Sequence, residues 1–380
     1  MEFSYTDVQS MLQESIEKFI ANDYDFERRQ QYAGSDLGHS PEVWSMFAEL
    51  GWTAVPFAEE DGGFDGGPVE IMVMMQQFGR GLLVEPFLAN VVLAGGVLRR
   101  AASDEQKERW LQPLIAGELQ ATLAVAEPQS RYELANVATT ATRDGDGWVL
   151  NGHKGVVLNG GNAQLVIVPA RSSGEQTDRS GITLFAVDAT ASGITCRDYP
   201  TVDGLRAAEV LLDGVRVDAG AVIGDVDGGY NTFEAVVDEA TLAICAEAVG
   251  IIQVMTEKTV EYSKSRQQFG VPIGSFQALQ HRAAILWTEI ELAQSLVLKG
   301  LKSLDDDAPG EQISRLASAA KAKLSRVAQL ATNEAIQMHG GIGMTDVLDM
   351  GLYLKRARVL EAQYGDQRYH ASRFARLSGY

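Results

Sequence analysis

The sequence predicts an α+β protein in which an N-terminal helical domain, a middle antiparallel β domain and a C-terminal helical bundle follow one another. Apolar residues recur at spacings of three and four before residue 118 and again after about residue 230, as in amphipathic helices. Between Thr122 and Val217, short β-rich runs alternate with Gly, Asp and Asn turns. The alternating strand and helix units of a doubly wound sheet do not occur.

The predicted N-terminal domain covers residues 1–118 and begins with an amphipathic helix. From Asp7 onward, apolar side chains at positions 8, 11, 12, 16, 19 and 20 form one stripe. Further helical patterns follow Pro41 and then cover residues 70–79, 90–101 and 105–114.

The predicted middle domain covers residues 119–228. Gly and Asp tolerate the positive φ of a tight turn, so the segment Asp144–Gly147 predicts a hairpin. The predicted strands lie at residues 137–142, 148–151, 165–170, 183–187 and 209–212. The third domain, residues 229–380, is predicted to be helical, with a polar break at residues 303–310.

Composition disfavours several classes of partner. The chain has 51 acidic and 32 basic residues and a net charge of −19, which argues against nucleic acid and anionic membranes. Two cysteines cannot build a disulfide framework, and the N-terminus lacks signal-peptide features, so we expect a cytoplasmic protein. No apolar run approaches about 18 residues, so no membrane span is predicted. The histidines lack metal-ligand spacing, and no metal is predicted.

The most specific pattern is the segment 265–280, SRQQFGVPIGSFQALQ, between two predicted helices. Arg266 offers a planar, permanently charged group suited to a pyrophosphate. Phe269 offers a flat apolar surface, and Gly270 permits a sharp turn. The alternative interpretation is a helix-ending loop with a surface arginine.

A second pattern, QMHGGIGMT at residues 337–345, ends a predicted helix. Glycines without side chains let the backbone approach a nucleotide closely. A helix-capping glycine pair is the alternative interpretation.

Together these segments resemble the R-x-x-F-G…F-Q-x-x-Q and Q-x-x-G-G-x-G patterns of acyl-CoA dehydrogenases, and the resemblance extends over the whole chain. It implies a flavoprotein oxidoreductase with FAD as cofactor, a C-terminal four-helix domain and, usually, a tetramer. It also implies α,β-dehydrogenation of an acyl-CoA, in which a carboxylate removes the α-proton and the β-hydrogen passes to the flavin as hydride. The residues that the resemblance assigns to FAD are Arg266, Gln268, Phe269, Gln277, Gln337, Gly340 and Gly341.

Two parts of the family pattern are altered near the flavin. The usual T-E-P and G-S-D runs are replaced by Ala126–Pro128 and by Arg131–Glu133, which adds bulk. The W-I-T-N-G flavin wall is replaced by Val156–Gly160. An indole surface and a hydroxyl donor are therefore missing.

The catalytic base is altered as well. Tyr364, in the turn Gln363–Asp366, stands where the family's Y-E-G-T turn has its Glu, and Ala240 stands at the alternative family position. A neighbouring carboxylate could serve if burial raised its pKa. The carboxylates within a few residues are Glu239, Asp238, Glu361 and Asp366, of which Glu239 is the candidate catalytic base.

Retained nucleotide motifs beside an altered flavin wall predict a subunit that works with a homologous chain in an α2β2 assembly. In this respect the chain resembles the small subunits of pimeloyl-CoA dehydrogenase-type enzymes. The expected partners are an acyl-CoA substrate, bulky or dicarboxylic, the homologous subunit and an electron-transfer acceptor. Two alternatives stay open, a self-sufficient homo-oligomeric dehydrogenase with a nonstandard base and a catalytically silent acyl-CoA-binding protein of the same fold.

Overall fold

The computed structural model describes residues 5–380, and its first part is helical, as predicted. Thr6 begins the first helix with a capping box, in which its hydroxyl accepts the N–H of Gln9 and the Gln9 side chain accepts the N–H of Thr6. Two stretches, Leu88–Ala94 and Lys107–Leu111, are wound as π-helix. The α-helices of this part are α1 (Asp7–Asp23), α2 (Phe26–Ala33), α3 (Pro41–Glu49), α4 (Pro68–Gly81), α5 (Gly95–Ala101), α6 (Asp104–Gln106) and α7 (Gln112–Ile115).

The middle part is one sheet. Its strands are β1 (Ala121–Leu123), β2 (Thr140–Asp144), β3 (Gly147–Leu158), β4 (Leu165–Arg171), β5 (Ile182–Asp188), β6 (Ile194–Pro200), β7 (Arg206–Val217) and β8 (Val222–Ile223). They lie in the order β6-β7-β3-β2-β4-β5-β8, and β1 pairs with β4. Most neighbouring strands pair antiparallel, as predicted. Two pairings are parallel: β1 with β4, and β2 with β4 at a single residue pair. The predicted hairpin joins β2 to β3, with Gly145 at a φ of 60°.

The last part is helical, as predicted. Its elements are α8 (Tyr230–Ser265), the short strands β9 (Gln267–Gln268) and β10 (Val271–Pro272), α9 (Gln277–Asp305), α10 (Gly310–His339), α11 (Met350–Ala362) and α12 (Gln367–Leu377). The polar break predicted at residues 303–310 is narrower in the structure, because α9 continues to Asp305.

The chain folds as two compact units whose segments interleave along the sequence. The helical unit comprises residues 5–30, Pro68–Leu83 and Thr241–Tyr380. The sheet unit comprises Gln31–Gly67 and Val84–Ala240 and holds strands β1 to β8. Helix α8 contributes residues to both units. The domain boundaries at residues 118 and 228 stay a prediction.

Within the helical unit, α4 and α8 cross at two glycines. A Cβ at Gly79 would lie 2.1 Å from a backbone carbonyl oxygen of α8, and one at Gly250 would lie 1.9 Å from the carbonyl oxygen of Gln76. Only glycine permits this approach. Beside the crossing, the Gln76 amide donates to Gln253 (2.7 Å), whose amide donates to Gln294 (2.9 Å). This amide chain connects α4, α8 and α9.

Three further properties concern membranes, metals and disulfides. Within residues 5–380, no helix combines the length and the apolar character needed to cross a bilayer. In the same part of the chain, no three His, Cys, Asp or Glu side chains converge as metal ligands would. Cys196 and Cys245 are free thiols, and Cys245 is buried.

Candidate cofactor and substrate site

The first predicted nucleotide segment forms a hairpin directly after α8. Strands β9 and β10 pair across a two-residue turn, in which Phe269 and Gly270 both adopt left-handed backbone with φ of 54° and 81°. The N–H of Ile273 donates to the carbonyl of Arg266 at 2.8 Å and closes the hairpin. The ring of Phe269 is 90% exposed and meets Phe276 edge to face, with centroids 6.1 Å apart. The hairpin therefore presents an aromatic ring to its surroundings.

Four of the predicted cofactor residues lie on this hairpin or at the start of α9. Arg266, Gln268, Phe269 and Gln277 are all exposed. Among residues 5–380, the guanidinium of Arg266 forms no ion pair and donates no side-chain hydrogen bond. An unpaired guanidinium on a well-defined hairpin is available to an anion such as a pyrophosphate.

The second predicted segment is an open glycine turn at the end of α10. Gly340 has a φ of 65°, and Gly340, Gly341 and Gln337 are exposed. A Cβ at Gly340 or at Gly341 would meet no atom within 4 Å, whereas one at Gly343 would lie 2.9 Å from His339. The first two glycines therefore leave the backbone uncovered, while the third is required by packing.

The two nucleotide segments lie close together because α8 and α10 end side by side. His339, the last residue of α10, stacks on Tyr262 of α8 with ring centroids 4.5 Å apart. A cavity of about 160 Å³ is lined by residues of both segments, including Gly274 and Met338. The structure thus brings together two motifs that are far apart in the sequence.

In the sheet unit, the loop that starts at Ala126 is anchored by a buried ion pair. The Glu127 carboxylate accepts from Lys154 Nζ at 2.6 Å, and the two side chains are 2% and 1% exposed. The carboxylate also accepts the N–H groups of Ala138 (2.8 Å) and Thr139 (3.2 Å). Burial alone would raise the pKa of Glu127, but the lysine charge and the donors lower it to about 2. The loop and β3 are therefore fixed to each other.

Next to this ion pair, β3 carries the residues at the family's flavin-wall position. The pairing with β7 shifts register between Lys154 and Val157. Val156 has a φ of 51°, which is unusual for a β-branched residue, and it is 58% exposed. Val156 and Leu158 offer little stacking area and no side-chain hydrogen bond, so this wall does not fit an isoalloxazine as the family's Trp and Thr would.

Glu239, the predicted base, lies in a buried ionic cluster. Its side chain is 1% exposed, with Oε1 2.5 Å from Arg99 Nη2 and Oε2 2.5 Å from Arg100 Nη2. Burial alone would raise the pKa of Glu239, but the two guanidinium groups hold it below its usual value. A carboxylate with a lowered pKa and both oxygens bound is a poor proton acceptor. The structure therefore gives Glu239 a structural role and no support for the predicted catalytic one.

The other candidate carboxylates near the base positions are Glu361, Asp366 and Asp238. Glu361 accepts from Arg358 at 3.0 Å. Asp366 caps α12 by accepting the N–H of Tyr369 at 2.8 Å. Asp238 is buried, with 2% of its surface exposed. Two of these three carboxylates thus have structural partners that account for their position.

The residues at the two family base positions cannot take up a proton. Tyr364 has a φ of 57°, and its hydroxyl is buried. Burial raises the pKa of Tyr364 above its usual value, so the phenol stays protonated near neutral pH. Ala240 is fully buried and has no polar group.

Two lysines that organise these regions were not predicted from the sequence. Lys154 anchors Glu127, as described, and Lys321 donates to the carbonyl oxygens of Glu361 (2.9 Å) and Gly365 (2.6 Å). Their positions in the sequence pattern could have indicated burial. Lys154 falls on the inward side of β3, and Lys321 shares its helix face with apolar residues such as Leu324. A charged residue on a buried face indicates a specific partner.

Comparison with family models agrees with this order of elements. The N-terminal domain model of acyl-CoA dehydrogenases matches residues 6–118, the middle domain model matches residues 122–215 and the C-terminal domain model matches residues 227–378. The probable acyl-CoA dehydrogenase YngJ of Bacillus subtilis is 31% identical over 370 residues, which cover 96% of each chain.

Solved structures share the fold. The FAD complex of PigA has a TM-score of 0.92 at 24% identity, covering 100% of this chain and 99% of that one. The ChsE4-ChsE5 complex from Mycobacterium tuberculosis has a TM-score of 0.90 at 23% identity, with 100% of both chains covered. The family predicted from the two nucleotide motifs is confirmed, and the chain belongs to the acyl-CoA dehydrogenase family.

Proposed function

We propose that this chain is one subunit of a FAD-dependent acyl-CoA dehydrogenase and works with a homologous chain in an α2β2 assembly. The substrate is a bulky or dicarboxylic acyl-CoA, and the product is its 2-enoyl-CoA. The proposal rests on a difference between the nucleotide segments of this chain and its flavin and base positions. The nucleotide segments are exposed and intact, whereas the flavin wall and both base positions lack the groups that the chemistry needs.

The exposed segments fit the adenosine diphosphate half of FAD. Arg266 supplies an unpaired cation for the pyrophosphate, and Phe269 supplies an apolar ring beside it. At Gly340 and Gly341 the uncovered backbone can approach phosphate or ribose oxygens. The amides that can add hydrogen bonds are those of Gln268, Gln277 and Gln337.

The flavin half does not fit this chain equally well. Val156 offers no stacking plane, and the carboxylate of Glu239 is bound by two arginines. When bound, FAD accepts the β-hydrogen of the acyl chain as hydride. We infer that the partner subunit contributes the flavin wall and the base that removes the α-proton, while this chain binds and orients the nucleotide.

Similarity in structure and similarity in sequence both support an enzyme made of two different chains. Among the structures that share the fold, one is a FAD complex and another is a complex of two differently named chains. The altered base turn also resembles that of the small subunits of pimeloyl-CoA dehydrogenase-type enzymes. An electron-transfer acceptor that reoxidises the flavin completes the proposed set of partners.

The visible absorption spectrum of the purified chain, alone and with a co-expressed complete homologue, tests the proposal. We expect no flavin bands from the chain alone, and bands that bleach with acyl-CoA from the pair. One flavin per chain that bleaches without a partner would instead show a self-sufficient dehydrogenase with a nonstandard base. Ligand binding without flavin in any pairing would show a silent acyl-CoA-binding protein.

Arg266→Ala tests the nucleotide contact. In the co-expressed complex, this variant should retain several-fold less FAD, because a charged partner of the pyrophosphate is lost. Lys302→Ala is the matched control, since Lys302 is an exposed cation on α9 that pairs with Asp306. Equal flavin content in the two variants would contradict the role of Arg266.

A further inference from the structure

In the loop between α11 and α12, the C-terminal turn Gln363–Asp366, the backbone at Tyr364 has a conformation that a tyrosine does not favour. Tyr364 has a φ of 57° and Gly365 a φ of 128°. A tyrosine rarely adopts the left-handed region, because its Cβ crowds the following carbonyl. A Cβ at Gly365 would lie 2.5 Å from Tyr369 and 2.6 Å from His370. Contacts from outside the turn must therefore hold it.

Lys321 of α10 makes the first of these contacts. Its Nζ donates to the carbonyl oxygens of Glu361 at 2.9 Å and of Gly365 at 2.6 Å, so one amine joins the end of α11 to the turn. Lys321 is 2% exposed, and it forms no ion pair among residues 5–380. Burial lowers the pKa of Lys321 to about 8. The two hydrogen bonds to carbonyls offset part of that burial.

His370 of α12 makes the second contact. Its Nε2 lies 3.1 Å from the carbonyl oxygen of Tyr364, and since a carbonyl only accepts, Nε2 carries the proton. Burial, together with the positive charges of Lys321 and Arg373, lowers the pKa of His370 to about 3. The ring is therefore neutral and stays in this tautomer near neutral pH.

The side chain at position 364 does not hold the turn. The Tyr364 hydroxyl is buried beside the Gln363 amide, but neither group makes a hydrogen bond of acceptable geometry within residues 5–380. Unsatisfied buried polar groups oppose a conformation rather than stabilise it. The contacts from Lys321 and His370, by contrast, are made to the backbone alone.

We propose that Lys321 and His370 form a backbone clamp that keeps the C-terminal turn in this one conformation whatever side chain stands at position 364. The clamp accounts for a left-handed backbone at Tyr364, whose own side chain does not stabilise it. It acts on carbonyl groups within the helical unit and requires neither a cofactor nor a partner subunit.

Hydrogen exchange of the full-length chain tests the clamp. In Lys321→Met, the amides between Gln363 and Tyr369 should exchange at least tenfold faster than in the wild type, while those of α9 stay unchanged. Lys323→Met is the matched control, because Lys323 lies on the same helix but pairs with Glu289 at 2.6 Å. It should leave exchange in the turn unchanged.

Two more variants keep the proposal falsifiable if Lys321→Met does not fold. His370→Phe keeps a ring in the same space without the donor, and it should speed exchange in the turn by a few-fold. Tyr364→Gly removes the side chain while tolerating the positive φ, and exchange should stay within about threefold of the wild type. Unchanged exchange in both clamp variants, or a large increase in Tyr364→Gly, would overturn the proposal.

Discussion

Replacing Lys154 with methionine should destabilise the sheet unit by about 3–5 kcal/mol, because it leaves the buried Glu127 without its cation. Methionine keeps the apolar stem and removes only the ammonium. The lysine charge helps to lower the pKa of Glu127, whereas burial lowers the pKa of Lys154 itself, so the loss on breaking the pair exceeds what the intact pair contributes.

Urea unfolding followed by tryptophan fluorescence measures this loss, because Trp148 is buried in the core of the sheet unit. In the wild type, the folded pKa of Glu127 lies below its unfolded value. Its contribution is therefore complete above about pH 4.5 and is lost as the pH falls toward 2. Without Lys154 the folded pKa rises, so the stability difference between variant and wild type should shrink on acidification.

Two further variants isolate the ion pair. Lys302→Met removes an exposed pair with Asp306, whose side chains are 53% and 62% exposed, and should change stability by less than about 0.5 kcal/mol. The double variant Lys154→Met/Glu127→Gln removes both buried charges and should recover part of the loss. A single-variant loss below about 1 kcal/mol, or a double variant as unstable as the single, would refute the reasoning.

Four other predictions concern separate parts of the molecule. His370 has a folded pKa of about 3 against 6.5 unfolded, so below pH 6.5 the unfolded chain binds a proton that the folded chain does not, and stability falls as the pH drops toward 3; melting temperatures between pH 7 and 4 should fall less steeply for His370→Phe. Gly250→Ala puts a Cβ 1.9 Å from a carbonyl oxygen of α4 and should lower stability by more than about 3 kcal/mol in urea titrations, whereas Gly310→Ala meets no atom within 4 Å and should not. Phe269→Ala should leave the melting temperature of the isolated chain unchanged, because the ring is 90% exposed, but should lower FAD retention in the co-expressed complex. Glu239→Gln should lower the melting temperature yet leave kcat/KM of that complex within about threefold; a loss of several orders of magnitude would restore Glu239 as the base.

The features that the sequence could predict depend on neighbours in the chain. The sharp turn at Gly270 and the glycine turn at Gly340 follow from glycines at defined places, and the order of helical and β-rich parts follows from periodicity; the pairing of β9 with β10 is seen only in the structure. The family could be predicted for the same reason, because its two nucleotide motifs are continuous segments.

The features that could not be predicted depend on partners distant in the sequence. Glu239 is a carboxylate near an expected base position, but Arg99, which lies 140 residues earlier, binds it in the fold. No local pattern marks that pairing. The parallel pairing of β1 with β4 likewise depends on the order of strands in the sheet. The clamp by Lys321 depends on how α10 packs against the turn.

The interleaving of the two units sets an order of folding during synthesis. Every residue of the sheet unit has been made once Ala240 has left the ribosome's catalytic centre. The helical unit contains residues 5–30 and also residues up to 380, so it cannot be completed until its last segment has been translated. At about 5–20 residues per second, that delay lasts on the order of ten seconds or more. Helix α4, which packs against α1, is made early, but its close approach to α8 at Gly79 and Gly250 must wait until α8 has been made.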